Sequence, residues 1–515
     1  MEPLLSHRTA SVELDEYVDS EHETEKQRPH VYEAWLQQAR KKLPKWLTLV
    51  FTALLPYFIT SLWRHNTERP SLRRTSPLDG LRGVAALCVV NYHIISAFHN
   101  FVNYGYGLTP EEAHREPHCA HNNEPIEHNL RLHQLPIIRL VYSGSAPVCI
   151  FFVLSGFVLS YRSWQLVRAS KLEVVFPSLS SSTFRRGFRL FLPTTLATLI
   201  TMIMIQTGAW DYPAQVAMDP TIITAENEYH QARLPTFGAQ TAHWASMMWN
   251  MTNIFAWEET YPEYDVHLWT IPMEFRASLL LFLILLVLVR LRYRYRVAIL
   301  VGLIAYCYGH VRWVMVLFLA GSLLAETSLR WDAARAPETS TPATTGLCIL
   351  FLRAVLVFIA LYFLSAPDKC IHRTPGYMTL AKILPSWDVR FYRVFPSLGA
   401  IILVGVISHS TKESRFSRVL DVRLVQYLGW ISYSIYIVHG PLMHGLGYRL
   451  FPLMWRITGH EATGPYLMGF FLAWSVLLFV VFWVADRFAV AVDDNCVRIG
   501  KWLEEKLVES ESVVL

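Results

Sequence analysis

Charged side chains are scarce in this sequence. Asp, Glu, Lys and Arg make up only 17% of its 515 residues, against about 25% in an ordinary soluble chain. Hydrophobic residues reach 53%, and so much apolar surface demands a very large core or a bilayer. The net charge of +5 is small for this length, so no nucleic-acid partner is expected. Cysteine is sparse as well. The seven cysteines are scattered with no CxxC pair, which by spacing excludes a zinc ribbon or a disulfide scaffold. No signal peptide is expected, because the first stretch of the chain is polar and charged. The end carries neither a CaaX box nor a retention tetrapeptide. No internal repeat is detectable.

What the sequence does have is long apolar runs. A helical span needs roughly 20 apolar residues, and ten runs qualify: 78–98, 143–161, 188–207, 268–289, 297–310, 311–327, 346–366, 392–408, 424–443 and 465–485. The expected fold is therefore an all-α integral membrane protein with about ten core transmembrane helices. Segment 1–45 reads as a polar, disordered tail. Segment 46–63, interrupted by Pro56 and flanked by basic residues, is one further N-terminal hydrophobic helix that either spans or lies in the interface. The transmembrane domain covers 75–490, and 491–515 is read as a cytosolic tail. The lipid bilayer is the first expected partner.

The loops supply an orientation. Arg73 and Arg74, then Arg162 to Arg186, then Arg290 to Arg296, then Lys412 to Arg418 fall on alternate connections. By the positive-inside rule these connections and the C-terminus face the cytosol. The intervening stretch 208–266 has one arginine, Arg233, against eight acids. It also holds a glycosylation sequon at Asn250. The chain is thus expected in an endomembrane or the plasma membrane. The polar stretch 332–345 reads as a flexible cytosolic linker.

The first span carries unexpected ionisable groups. "LDGLRGVAALCVVNYH" runs from Leu78 to His93. Arg82 and His93 are eleven residues apart, so on a helix they lie within about 20° of one direction and about 16 Å apart along the axis. Asp79 is three residues before Arg82, near the same face. Ionisable groups at that depth usually face a cavity or a partner. A plainer account has Asp79 and Arg82 pairing at the helix start while His93 bonds a neighbouring helix. The shared face argues against it. Glu274, in "HLWTIPMEFRASLLL", is a second embedded acid that needs a partner or a task. Other embedded polar residues have structural explanations: arginines 185, 186 and 189 as positive-inside anchors, Ser155 and the hydroxyls near 432 as helix-packing groups, and His439 as a packed histidine.

These stretches together resemble the membrane-bound acyltransferase-3 family, which O-acylates sugars, glycolipids and small molecules. The family's first helix is similar to "LDGLRGVAALCVVNYH", with the arginine-to-histidine spacing kept as Arg82 and His93. The second helix resembles the family's at "FFVLSGF", from Phe151. An arginine-rich start follows as "RRGFRLFLP", then "HLW" at 267–269 with Glu274, then "LGWISYSIYIVHGPL" from Leu428. The resemblance covers about 75–490. Pro272 and Arg276 depart from the family pattern, and Asp486 stands where the family has an acidic ending.

The resemblance implies an acyl-CoA-dependent O-acyltransferase, most simply an acetyltransferase, with acetyl-CoA or another acyl-CoA as co-substrate and no permanently bound cofactor or metal. It implies His93 as general base, Arg82 holding the donor or the developing oxyanion, Asp79 orienting Arg82, and Glu274 orienting His93 or binding the acceptor. Arg185, Arg186 and Arg189, with Ser155, would meet the donor, the arginines as bidentate partners of CoA phosphates. Direct transfer and an acyl-histidine relay both remain open. The expected acceptor is a hydroxylated small molecule such as a secondary metabolite, with a glycan or lipid as the alternative. A proton-coupled transporter is the reading from another class; it predicts related halves, which the sequence does not display. The loop with His114, His118, Cys119, His121, His128 and His133 fits no standard zinc spacing and reads as solvated. A Cys119–Cys370 disulfide is compatible with the topology.

Overall fold

The computed structural model describes residues 73–114, 128–334, 343–384, 391–411 and 414–508. Segments 1–45 and 46–63, most of the 332–345 linker and Cys119 therefore lie outside the described residues. No strand occurs among the described residues.

Ten helices occupy the positions of the ten apolar runs. They are α1 (Ser76–Phe98), α2 (Ser145–Arg168), α3 (Leu172–Gln206), α4 (Thr270–Leu288), α5 (Tyr293–Gly309), α6 (Trp313–Ala334), α7 (Ala343–Leu364), α8 (Phe391–Ser408), α9 (Arg423–Leu442) and α10 (Thr463–Phe488). Among the described residues, seven helices are long and apolar enough to cross a membrane. Helices α5, α8 and α9 are not among them: Arg294 and Arg296 open α5, α8 is apolar but short, and polar hydroxyls punctuate α9. The α5–α6 turn is as tight as the sequence implies, with Val311 held at φ 56°, an uncommon conformation for a β-branched residue. The expected tail after 490 contains a helix, α11 (Asp494–Leu507). It lies along α3, with Gly500 facing Phe188 and Arg185 and Arg185 paired to Glu504 at 3.1 Å.

Small residues decide how the site-bearing helices meet. Helices α1 and α9 touch backbone to backbone. A Cβ on Gly83 would sit 2.3 Å from the Gly429 nitrogen, and one on Gly429 would sit 2.4 Å from the Asp79 carbonyl. Without lipid-excluding hydrophobic force, such close van der Waals approach is what holds membrane helices together. Pro77 in the first turn suits the start of α1, where its missing N–H is not needed.

At the opposite end of α1 the loops fold inward. Arg139 is almost wholly buried and donates to the carbonyls of Ser365 (3.0 Å), Ala366 (2.8 Å) and Val102 (2.6 Å). It thereby ties the α1–α2 connection to the α7–α8 connection. Cys370 in the latter is disulfide-bonded.

Candidate active site

The last carbonyls of a helix have no partner within it. At the C-terminus of α1 a loop supplies them. Thr224 Oγ1 donates to the Phe98 carbonyl (2.6 Å), the Ala225 N–H to Ala97 (3.3 Å), and the Glu226 N–H to Ser96 (2.9 Å). The loop comes from the acidic stretch between α3 and α4. Its descent beside α1 carries Glu228 into the bundle.

There Glu228 meets three histidines. His93 Nδ1 of α1 lies 3.0 Å from Oε1. His267 Nε2 lies 3.1 Å from Oε2. His444 Nε2 lies 2.6 Å from Oε2. The Glu228 side chain is 12% exposed, that of His93 21%, and that of His267 is fully buried. Burial alone would push the Glu228 carboxyl up. The neighbouring His267 charge and hydrogen bonds from His267, His444 and His93 overcome it and hold Glu228 well below the usual carboxylate range.

His267 sits in a short 3-10 turn, Val266–Trp269, ahead of α4. Asp265 caps that turn, accepting from the His267 N–H at 3.2 Å and facing His267 Nδ1 at 2.7 Å. Both ring nitrogens therefore face carboxylates. An imidazolium satisfies both, since each nitrogen then donates. The pair is pressed against α9 at Gly440, where a Cβ would fall 2.5 Å from both Asp265 Oδ1 and His267 Nδ1. Tyr436 of α9 donates its hydroxyl to the His267 carbonyl and meets Thr270 Oγ1 at 2.6 Å.

His439 completes the centre. Its ring centroid lies 5.4 Å from that of His93 and 4.8 Å from that of His267. His93 and His267 meet edge to face at 4.1 Å. Two groups, His93 with His267 and His439, and Glu228 with His267 and His444, place ligating atoms within 4.8 Å of one another. Asp265 and Glu228 face the two nitrogens of His267 within these groups.

The other residues singled out from the sequence gather elsewhere. Arg82 donates through Nε to Ser432 Oγ (2.9 Å) and through Nη2 to the Gly429 carbonyl (3.0 Å), with Asp79 at 3.4 Å. Glu274 accepts from Arg186 Nη2 (2.6 Å) and from Ser155 Oγ (2.8 Å), while Arg186 Nε reaches Ser278 at 3.0 Å. Glu274 thus engages Arg186 rather than His93, and Glu228 takes the partnership with His93. The reason is depth: Glu274 lies a full turn beyond Thr270 on α4, past the level of the histidines. Arg185 pairs with Glu504, and Arg189 is exposed. Arg189 and Arg82 both act on the charge of Asp493. Asn250 is exposed on the helix Phe237–Met251. Arg276 is buried and donates to the Asn253 carbonyl (2.8 Å). Asp486 accepts from Tyr427 (2.7 Å). Of the histidine-rich loop, His133 meets Tyr142 at 3.0 Å, and 115–127 lie outside the described residues.

Sequence reasoning missed Glu228, Asp265 and His444. Glu228 lies in a loop, where no periodicity points. Its only signal is the excess of acids between α3 and α4. His444 is five residues after His439, which on an α-helix sets them about 140° apart. A π-helical turn, Met443–Gly447, widens the spiral and brings them to one side; such turns recur at functional sites.

The bundle is thus a polytopic membrane protein with a histidine–carboxylate cluster at one end and an arginine cluster at the other. Within that class its sequence is specific. An acyltransferase domain profile matches residues 77–486, and the chain belongs to the acyltransferase-3 family. It is 31% identical over 88% of its length to O-acetyltransferase PaAT-1 of Phomopsis amygdali, covering 88% of that protein. It is 27% identical over 82% of its length both to acyltransferase R4 of a Phoma species and to acyltransferase clz18 of Cochliobolus lunatus, covering 95% of each. No solved structure matches.

Proposed function

We propose that the chain moves an acyl group, in the simplest case acetyl, from acyl-CoA to a hydroxyl of a small molecule, with His93 as general base. The observation that carries this reading is the 3.0 Å contact between His93 Nδ1 and Glu228. A carboxylate at Nδ1 fixes the tautomer and turns Nε2 towards substrate as a proton acceptor. Glu228 and Asp265 bring two negative charges, and the His267 imidazolium balances one. The other, on Glu228, lies against His93 and His444 and is a ready counter-charge when His93 takes up a proton. The centre is therefore preorganised for the positive charge that develops on His93 in the transition state.

The step balances without a further reactant. His93 Nε2 takes the acceptor hydroxyl proton as that oxygen bonds to the thioester carbonyl carbon. The tetrahedral oxyanion collapses, the carbon–sulfur bond breaks, and His93 returns the proton to the departing thiolate. The donor would approach from the arginine end. Arg189, exposed there, and Arg186 would meet its phosphates, and its thioester would travel the roughly 16 Å along α1 from Arg82 to His93. Names of relatives, an O-acetyltransferase among them, support the reaction class.

The test uses the purified chain in nanodiscs with radiolabelled acetyl-CoA and no acceptor, comparing wild type with His93→Ala. Slow thioester hydrolysis or protein labelling that disappears in the variant is the expected result. A folded wild type that neither hydrolyses acetyl-CoA nor becomes labelled would overturn the reading.

A further inference from the structure

Buried polar atoms in a folded protein nearly always have hydrogen-bond partners. Besides Asp265 Oδ2, whose partner oxygen meets His267, three near Glu228 have none among the described residues: His439 Nε2, His230 Nε2 and Tyr448 Oη. The proton transfer described above uses none of them.

Their chemistry is fixed by what lies behind them. His439 Nδ1 is 2.7 Å from the Tyr436 carbonyl, and His230 Nδ1 is 2.9 Å from the Glu228 carbonyl. A carbonyl only accepts, so each Nδ1 carries the proton and each Nε2 presents a lone pair. His230 stays in this neutral form near pH 7. Its burial, and then the charge of His444 beside it, bring its pKa down to about 4. Tyr448 is almost fully buried, and its hydroxyl can accept or donate.

His439 lies on the His93 side of Glu228, and His230 and Tyr448 lie on its His444 side. His439 is 5.4 Å from His93, ring to ring. His230 is 4.3 Å from His444 and stacks on Tyr448 at 5.5 Å.

We infer that His439, His230 and Tyr448 form the acceptor subsite, and that the acceptor is polyhydroxylated, bringing O–H donors beyond the hydroxyl that His93 deprotonates. The inference rests on the acyl-transfer reading. Two lone pairs held in place turn away a ligand that offers only carbonyl or ether oxygens. A plain alcohol would leave the same atoms buried and unpaired, the situation in which a hydrogen-bonding site discriminates most strongly.

The experiment supplies the full chain in nanodiscs with radiolabelled acetyl-CoA and one of three probes: cyclohexanol, cis-cyclohexane-1,2-diol or myo-inositol. In wild type, kcat/KM is expected to rise at least tenfold from the single alcohol to the better polyol. Tyr448→Phe and His230→Phe are each expected to lower that ratio about tenfold. A ratio taken within one protein is independent of its folded fraction. Continued acetyl-CoA hydrolysis with no polyol preference, transfer to none of the three included, overturns the inference and leaves the acyl-CoA reading standing. Neither hydrolysis nor transfer by folded wild type overturns that reading, and the inference with it.

Discussion

Glu228 concentrates more chemistry than any other side chain in the bundle. Three imidazoles converge on its two oxygens, yet it comes from a loop. Glu228→Gln keeps the size and removes the charge. One amide end then faces histidine N–H groups as a donor, and the His93 imidazolium loses its counter-charge. We expect kcat to fall about 10²-fold, with little change in the KM for acetyl-CoA, because the arginine end is untouched. Structural damage that spread to the donor end would raise that KM as well, so single-turnover kinetics with acyl-CoA titration separates the two. His230 gives a pH prediction. Its folded pKa of about 4 lies below the ordinary 6.5, so the unfolded chain binds more protons between these values. Stability is then full above pH 6.5 and falls as pH drops towards 4. Between pH 7 and pH 5 the loss is about 2 kcal/mol, reduced in His230→Phe, as denaturant titration at the two pH values would read.

Elements, rather than residues, set the distance between the two clusters. Helix α1 carries Arg82 near its start and His93 near its end, and its contact with α9 is bare backbone at Gly83 and Gly429. The same α9 carries Ser432, which receives Arg82, as well as Tyr436 and His439. A methyl on Gly83 would meet the Gly429 nitrogen at 2.3 Å, so the helices must part. Gly83→Ala is expected to cost about 1–3 kcal/mol and to lower acyl transfer. Gly440→Ala acts elsewhere: its methyl would collide with Asp265 and His267. We expect at least a tenfold loss of kcat with thermal stability less affected, and a drop in stability as large as that of Gly83→Ala would sink this distinction. The α1 stripe was legible beforehand, because a 100° step per residue fixes which side chains share a face. The partners were not legible, since they arrive from a loop at 224–228, a 3-10 turn at 266–269 and a π-helical turn at 443–447. None of these has the α-helical period.

On the scale of the whole molecule, apolar run length located a helix at each of the ten runs, and seven helices among the described residues are long and apolar enough to cross a bilayer. It did not foresee that α3 would extend to 35 residues, about 52 Å, well beyond the roughly 30 Å of hydrocarbon. That surplus is where α11 packs. The charge of the connections remains the guide to sidedness. The arginine-bearing loops share the end that carries Arg82 and α11. The acidic stretch with Glu228 and Asn250 belongs to the other end. With the arginine end in the cytosol, as the positive-inside rule predicts, the proposed acyl-CoA would enter from that side and the proposed acceptor would reach the histidines from the opposite face. Cysteines introduced by Lys506→Cys and Thr236→Cys test it. In sealed right-side-out vesicles a membrane-impermeant maleimide should label the second and spare the first until the membrane is permeabilised. Asn250→Gln should at the same time abolish the gel shift produced by glycosidase. Labelling of Lys506→Cys in intact vesicles would reverse the orientation. It would then require acyl-CoA to enter from a compartment where the arginine cluster is not exposed to the cytosolic pool.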